Sequence, residues 1–273
     1  MDGSVELNVE NSGKRGRLPV AAFFDLDKTV ISKSSTLAFG RPFYKYGLIS
    51  RSNAMRSAVG QLVFTMAGAG PRQMERIREW AGGVCRGWPV DQVSEIVARH
   101  LDELILPIVY HEARSLIARH QAAGQDVIIV STSGHEVVDP IARLLGVDDV
   151  IATRMEVAGG RYTGQMEFWA YGTAKADRVR ALAADRRYRL ADCYAYSDSA
   201  TDLPLLETIG HPYAVNPDRP LRKIAQERGW PILEFGSLPA SRHGRRATPG
   251  QGANQQQKGK RSSVLASITN QSR

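Results

Sequence analysis

The chain has 273 residues, 42% hydrophobic and 23% charged, with a formal net charge of +8. That length suits one large domain or a domain carrying an insertion, and nothing in the composition marks a membrane, collagen-like or disulfide-built protein. Seven Lys or Arg and no Asp or Glu fall in residues 236–273, leaving +1 for everything before them, so the basicity belongs to a tail. The folded part is not expected to bind nucleic acid, and no aromatic residue interleaves the tail charges to stack on bases.

Cys85 and Cys193 are far apart and lack the clustered spacing of a zinc site or redox pair. They are expected to be free thiols in a reducing, cytoplasmic setting. Residues 1–18 are polar, without an apolar core or cleavage pattern, and are expected to form a disordered leader rather than a signal peptide.

The run Val20-Ala21-Ala22-Phe23-Phe24 is too short for an ordinary helix and is followed by Asp25-Leu26-Asp27-Lys28-Thr29. It reads as a buried parallel strand delivering two carboxylates to its C-terminal edge, where open α/β sheets bind ligands. Carboxylates at i and i+2 can converge there once the chain turns, and they repel unless a cation or proton lies between them. One can bind Mg²⁺ and attack phosphorus while the other moves a proton, with the Thr29 hydroxyl near a phosphate oxygen. The alternative is a plain turn with Asp and Thr as cap residues.

Ser34-Ser35-Thr36 is expected to cap a helix running through Leu37, Phe39 and Tyr44. The uncharged stretch 57–70 is shorter than the roughly twenty residues a bilayer span needs and is expected to be a helix of an inserted bundle. From residue 71 to about 121 the three- and four-residue steps remain helical, with Val93, Ile96, Val97, Leu101, Leu104 and Ile105 on one stripe and breaks at Pro89 and Pro107.

Asp126-Val127-Ile128-Ile129-Val130-Ser131 reads as a second strand, and Ser131-Thr132-Ser133-Gly134 leads into a helix. Hydroxyls and N–H groups at a helix start suit an anion, although taken alone an ordinary N-cap is the preferred explanation. A short strand near Val150-Ile151-Ala152 and a hairpin around Gly159-Gly160 follow, and a helix carrying Lys175 comes next. Cys193 to Ser197 reads as a further strand whose turn carries Asp198 and Asp202, both able to face a cation. A last strand, Tyr213-Ala214-Val215, runs into Asn216-Pro217-Asp218, and the domain is expected to end near Gly236.

Parallel strands joined by right-handed crossovers bring these strand ends to one edge. With Asp25/Asp27/Thr29, Ser131, Lys175 and Asp198/Asp202 in this order, the chain resembles the haloacid dehalogenase superfamily from about Val20 to Phe235. More narrowly, it resembles the phosphoserine-phosphatase-like branch, subfamily IB. The resemblance implies an α/β fold: a Rossmann-like parallel sheet flanked by helices, with an inserted all-helical cap and a small β-hairpin. The core would comprise 19–36 and 107–235, the cap about 37–106, and the basic disordered tail 236–273.

It also implies hydrolysis of a small-molecule phosphomonoester with Mg²⁺ as cofactor. Asp25 would be the nucleophile, Asp27 the general acid and then base, and Lys175 a neutralising cation. Thr29, Ser131 and Lys175 would hold phosphate oxygens. Asp25, the Asp27 backbone carbonyl and Asp198 would hold the metal, with Asp202 supporting it directly or through water. Dehalogenases of the superfamily lack the proton-shuttling partner, and its transport ATPases need membrane spans; both fit this sequence poorly. Phosphoserine-specific members carry a Glu where this chain has Ser34, which disfavours phosphoserine. The alternatives kept are phosphoserine phosphatase and a regulatory protein retaining the fold.

Overall fold

The computed structural model describes residues 19–49 and 71–239. The expected leader, the stretch 57–70 and the tail beyond residue 239 lie outside the described residues.

Strand β1 (Ala21–Phe24) is buried along its whole length, as a non-alternating apolar run requires when both sheet faces are covered. It lies between β2 (Asp126–Gly134) and β5 (Tyr194–Ser197) and runs parallel to both. Completing the sheet are β3 (Asp149–Ala158), β4 (Arg161–Phe168), β6 (His211–Val215) and β7 (Ile232–Leu233), in the order β4-β3-β2-β1-β5-β6-β7. Among the described strands only the β3–β4 pair is antiparallel: it is the hairpin expected around Gly159-Gly160. The two-residue β7 was not legible as a strand, being too short to show a period.

Between β1 and β2 come α1 (Ser35–Ala38), α2 (Gly40–Lys45), α3 (Pro71–Cys85), α4 (Val90–Ile105) and α5 (His111–Ala122). The single helix expected after Ser34 is two short ones. Pro42 has no N–H to continue the helical ladder to Ala38, so the chain restarts at Gly40. Ser34 is extended but makes no side-chain cap bond. The breaks expected further on do occur: Pro89 is the N-cap of α4 and Pro107 lies in the 3₁₀ turn Leu106–Ile108. In the second half, α6 (His135–Leu144) follows β2, α7 (Thr173–Arg186) follows β4, α8 (Leu203–Thr208) follows β5 and α9 (Arg219–Arg228) follows β6.

The helical insertion leaves and rejoins the sheet along two paired segments. Ser32 N donates to Ile108 O at 2.8 Å and Tyr110 N to Val30 O at 3.0 Å. At its far side, the loop between α3 and α4 pairs with the hairpin, Gly87 N donating to Tyr162 O at 2.8 Å and Tyr162 N to Trp88 O at 3.1 Å. Gly82 of α3 allows that approach, because a Cβ there would meet Gly164 O at 2.1 Å. The backbone N–H groups of Gly236 and Ser237 donate to Glu112, so packing extends to these residues.

Candidate active site

The register of the central strands sets the site. Phe24 of β1 lies level with Ile129 of β2 and Tyr196 of β5. The next residue, Asp25, donates its N–H to Tyr196 O at 2.9 Å and so remains anchored at the sheet edge. The chain then turns: Val30 and Ile31 both donate to Leu26 O at 3.0 Å, and Lys28 adopts a left-handed conformation with φ 63°. That turn separates Asp27 from the strand direction and leaves it part-buried, while Asp25 stays 6% exposed.

Lys175, in the first turn of α7, is 2% exposed, and its Nζ donates to Asp25 Oδ1 at 2.8 Å and Asp202 Oδ2 at 2.9 Å. Gly172, with positive φ, opens this helix so that its first turn points at the β1 edge. Burial opposes the lysine charge, but the Asp202 and Asp25 carboxylates outweigh it and push the Lys175 pKa up. Asp202 Oδ2 also accepts from Ser197 Oγ at 2.8 Å. Of the two acids read as able to face a cation, with Asp202 acting directly or through water, Asp202 has its Oδ2 engaged by Lys175 and Ser197.

Asp198, 9% exposed, accepts through its backbone carbonyl from Asp218 N at 2.7 Å. Burial pushes its carboxyl up to about 7; Lys28 and Lys175 oppose this, and Asp202 and Asp218 add to it. Asp25 is likewise pushed up by burial, pulled down by Lys175 and pushed up by Asp202 and Asp198. Carboxylates in excess of nearby cations, one of them without a hydrogen-bond donor among the described residues, fit a hard divalent ion. Among the described residues no three His, Cys, Asp or Glu side chains form a metal cluster. The buried carboxylates that could hold such an ion are those of Asp25 and Asp198.

Thr29 is fully buried, and its Oγ1 lies 3.4 Å from Asp25 Oδ2. Ser131 is 1% exposed and sits inside β2, which was expected to end there but continues to Gly134 through a register shift between Ser131 and Gly134. Bulges of this kind re-aim side chains beside functional sites.

Several site residues were not singled out from the sequence. Asp27 Oδ1 accepts from Ser35 N at 2.8 Å and its Oδ2 from Ser133 Oγ at 2.9 Å. Alternation with Ser131 could have indicated Ser133, since side chains two apart on a strand share a face. Asp218 caps α9 by accepting from Leu221 N at 2.8 Å, and it also accepts from Ser199 Oγ and Ala200 N at 3.2 Å, fixing the turn that carries Asp198. The Asn216-Pro217-Asp218 run could have marked it only as a turn.

A parallel sheet with a helical insertion after β1, and two acids, a lysine and further acids at one edge, define a hydrolase of a known class. The model for haloacid dehalogenase-like hydrolases matches residues 22–207, and the chain belongs to that family. It is 60% identical over 216 residues to the inhibition of morphological differentiation protein of Streptomyces azureus, covering 79% of this chain and 78% of that one. It is 51% identical over 237 residues to a probable phosphatase of Mycobacterium tuberculosis, covering 87% and 82%. A crystal structure of a protein of unknown function from Bordetella pertussis superposes with TM-score 0.70 at 30% identity, covering 80% of this chain and 99% of that one. Phosphoserine phosphatase shares the fold with TM-score 0.58 at 19% identity, over 80% and 94% of the two chains.

Proposed function

We propose that the chain is a Mg²⁺-dependent phosphatase that hydrolyses a small phosphomonoester through an aspartyl-phosphate on Asp25. The observation that carries the reading is the buried Lys175 joining Asp25 to Asp202, with a second acid, Asp27, two residues along in a different setting. Among the described residues no helix is long and apolar enough to cross a membrane.

Lys175 holds Asp25 Oδ1, and Oδ2, 3.4 Å from Thr29 Oγ1, attacks phosphorus in line with the leaving oxygen. Asp27 gives its proton to that oxygen, then takes one from the water that attacks the aspartyl-phosphate. The Thr29 and Ser131 hydroxyls and the Lys175 ammonium bind phosphoryl oxygens, and their fixed dipoles stabilise the charge that develops there. Asp25, Asp198 and the Asp27 carbonyl would hold Mg²⁺, which supplies further neutralisation of the phosphoryl oxygens. Asp202 keeps Lys175 aimed at Asp25.

The test is phosphate release from a panel containing phosphoserine, sugar phosphates, phosphorylated alcohols and lipid headgroup phosphates, with and without Mg²⁺. Turnover should need both the metal and Asp25, and Asp25→Asn should lower it on the order of 10³-fold or more. Turnover that survives in Asp25→Asn would overturn the mechanism. Ser34 disfavours phosphoserine as the preferred ester, and a panel led by phosphoserine would reverse that point.

A second reading comes from the name of the Streptomyces azureus relative, which favours a regulatory output. Expression of the wild type and of Asp25→Asn in that organism separates the two readings. If both block differentiation equally, the fold regulates without catalysis; if only the wild type does, hydrolysis is the regulatory act.

A further inference from the structure

We propose that Ser133 is a positioning residue for proton transfer, fixing the Asp27 carboxylate through a hydroxyl chain that begins in the first turn of the helical insertion. The inference rests on the reading of Asp27 as the general acid.

The direction of the chain follows from counting protons and lone pairs. A serine hydroxyl has one proton to donate and two lone pairs to accept with. Ser133 Oγ donates to Asp27 Oδ2 at 2.9 Å, which uses its only proton. Ser35 Oγ donates to Ser133 Oγ at 2.9 Å. Thr36 Oγ1 lies 3.1 Å from the same oxygen, and with the Ser133 proton already committed, Thr36 is the donor there. Both lone pairs of Ser133 are then occupied, so its proton is locked onto Asp27. The other Asp27 oxygen accepts from Ser35 N at 2.8 Å.

Each Asp27 oxygen thus receives one donor, and the carboxylate plane is fixed from two segments distant in sequence. One is the bulged end of β2, where Ser133 is 9% exposed; the other is the start of α1, where Ser35 is fully buried. A short acid side chain at the end of a turn has free rotamers, and this clamp selects one. Misorientation of a general acid penalises most those esters whose leaving group most needs the proton.

The experiment compares kcat/KM of the full chain with Mg²⁺ on two esters of nearly equal shape, phenyl phosphate and p-nitrophenyl phosphate. Phenolate is the poorer leaving group and depends far more on the acid. In Ser133→Ala, kcat/KM for phenyl phosphate should fall about tenfold while p-nitrophenyl phosphate stays within about twofold. Ser133→Cys, which keeps the volume with only a weak donor, should show the same selectivity and serves if the alanine variant does not fold. Equal losses on both esters, or no loss on either, would overturn the proposal. Asp27→Asn is the reference: it should show the same selectivity more strongly. Its failure to discriminate between the esters would remove the general-acid reading itself, whereas discrimination by Asp27→Asn but not by the Ser133 variants would remove only the positioning role.

Discussion

Asp25 and Asp27 are the same residue type two positions apart, yet they lie in opposite environments. Asp25 is buried among charges: Lys175 at 2.8 Å, with Asp202 and Asp198 beyond it. Asp27 is held by neutral donors, the Ser133 hydroxyl and the Ser35 N–H. The difference arises at the turn after β1, where Asp27 leaves the sheet edge to meet Ser35 and Ser133 and the next residue, Lys28, is left-handed. An ionised nucleophile needs a fixed counter-charge, whereas a group that must take and return a proton is better oriented by hydroxyls than clamped by a cation.

The largest loss is expected from breaking the charged side. Lys175→Met would leave Asp25 and Asp202 as buried carboxylates facing each other. It should cost about 3–5 kcal/mol of stability and lower turnover by about 10² to 10³-fold, read by thermal melting and steady-state kinetics on the same preparation. Asp27→Asn tests the other side: turnover should fall by about 10² to 10⁴-fold, while the melting temperature moves far less than for Lys175→Met. A large loss of stability there would mean that Asp27 is structural.

A smaller effect separates catalysis from the core beneath it. His120, fully buried, shares hydrogen bonds with Gln125 and with the Tyr196 hydroxyl, the latter at 2.9 Å, and packs edge-on against Phe24. Burial pushes its pKa down to about 4; the Gln125 bond opposes this and Arg119 adds to it. The unfolded chain then binds a proton that the folded chain refuses between about 6.5 and about 4. His120 therefore withdraws stability as pH falls through that window, by about 3 kcal/mol at its acid end. Denaturant melts from pH 7 to 4 should show this loss in the wild type and less of it in His120→Gln. The smallest effect expected is from Thr36→Ala, which removes one of two donors to Ser133 and should lower phenyl phosphate turnover by about twofold at most.

Legibility in the sequence followed the range of the interactions. β1, β2, β5 and β6 could be read because each is a short apolar run ended by a polar cluster, and the insertion because its stripe keeps the helical period between Pro89 and Pro107. The Gly159-Gly160 turn announced the hairpin. β7 and the split between α1 and α2 could not be read with the same ease, since one is two residues long and the other depends on where Pro42 falls in the ladder.

The sequence by itself determined that two acids, a hydroxyl, a serine and two further acids would meet at one edge of a parallel sheet, because strand ends on one side follow from parallel order and crossover hand; Lys175 follows the antiparallel β4 and reaches that edge through the hairpin. Only the tertiary structure decided how they are shared out. Asp202 serves Lys175 because α7 and the turn after β5 bring them within 2.9 Å across 27 residues of chain. Ser133 serves Asp27 across 106 residues because a bulge in β2 faces the start of the insertion. No local pattern encodes such pairings; they exist once two segments distant in sequence pack against the same strand.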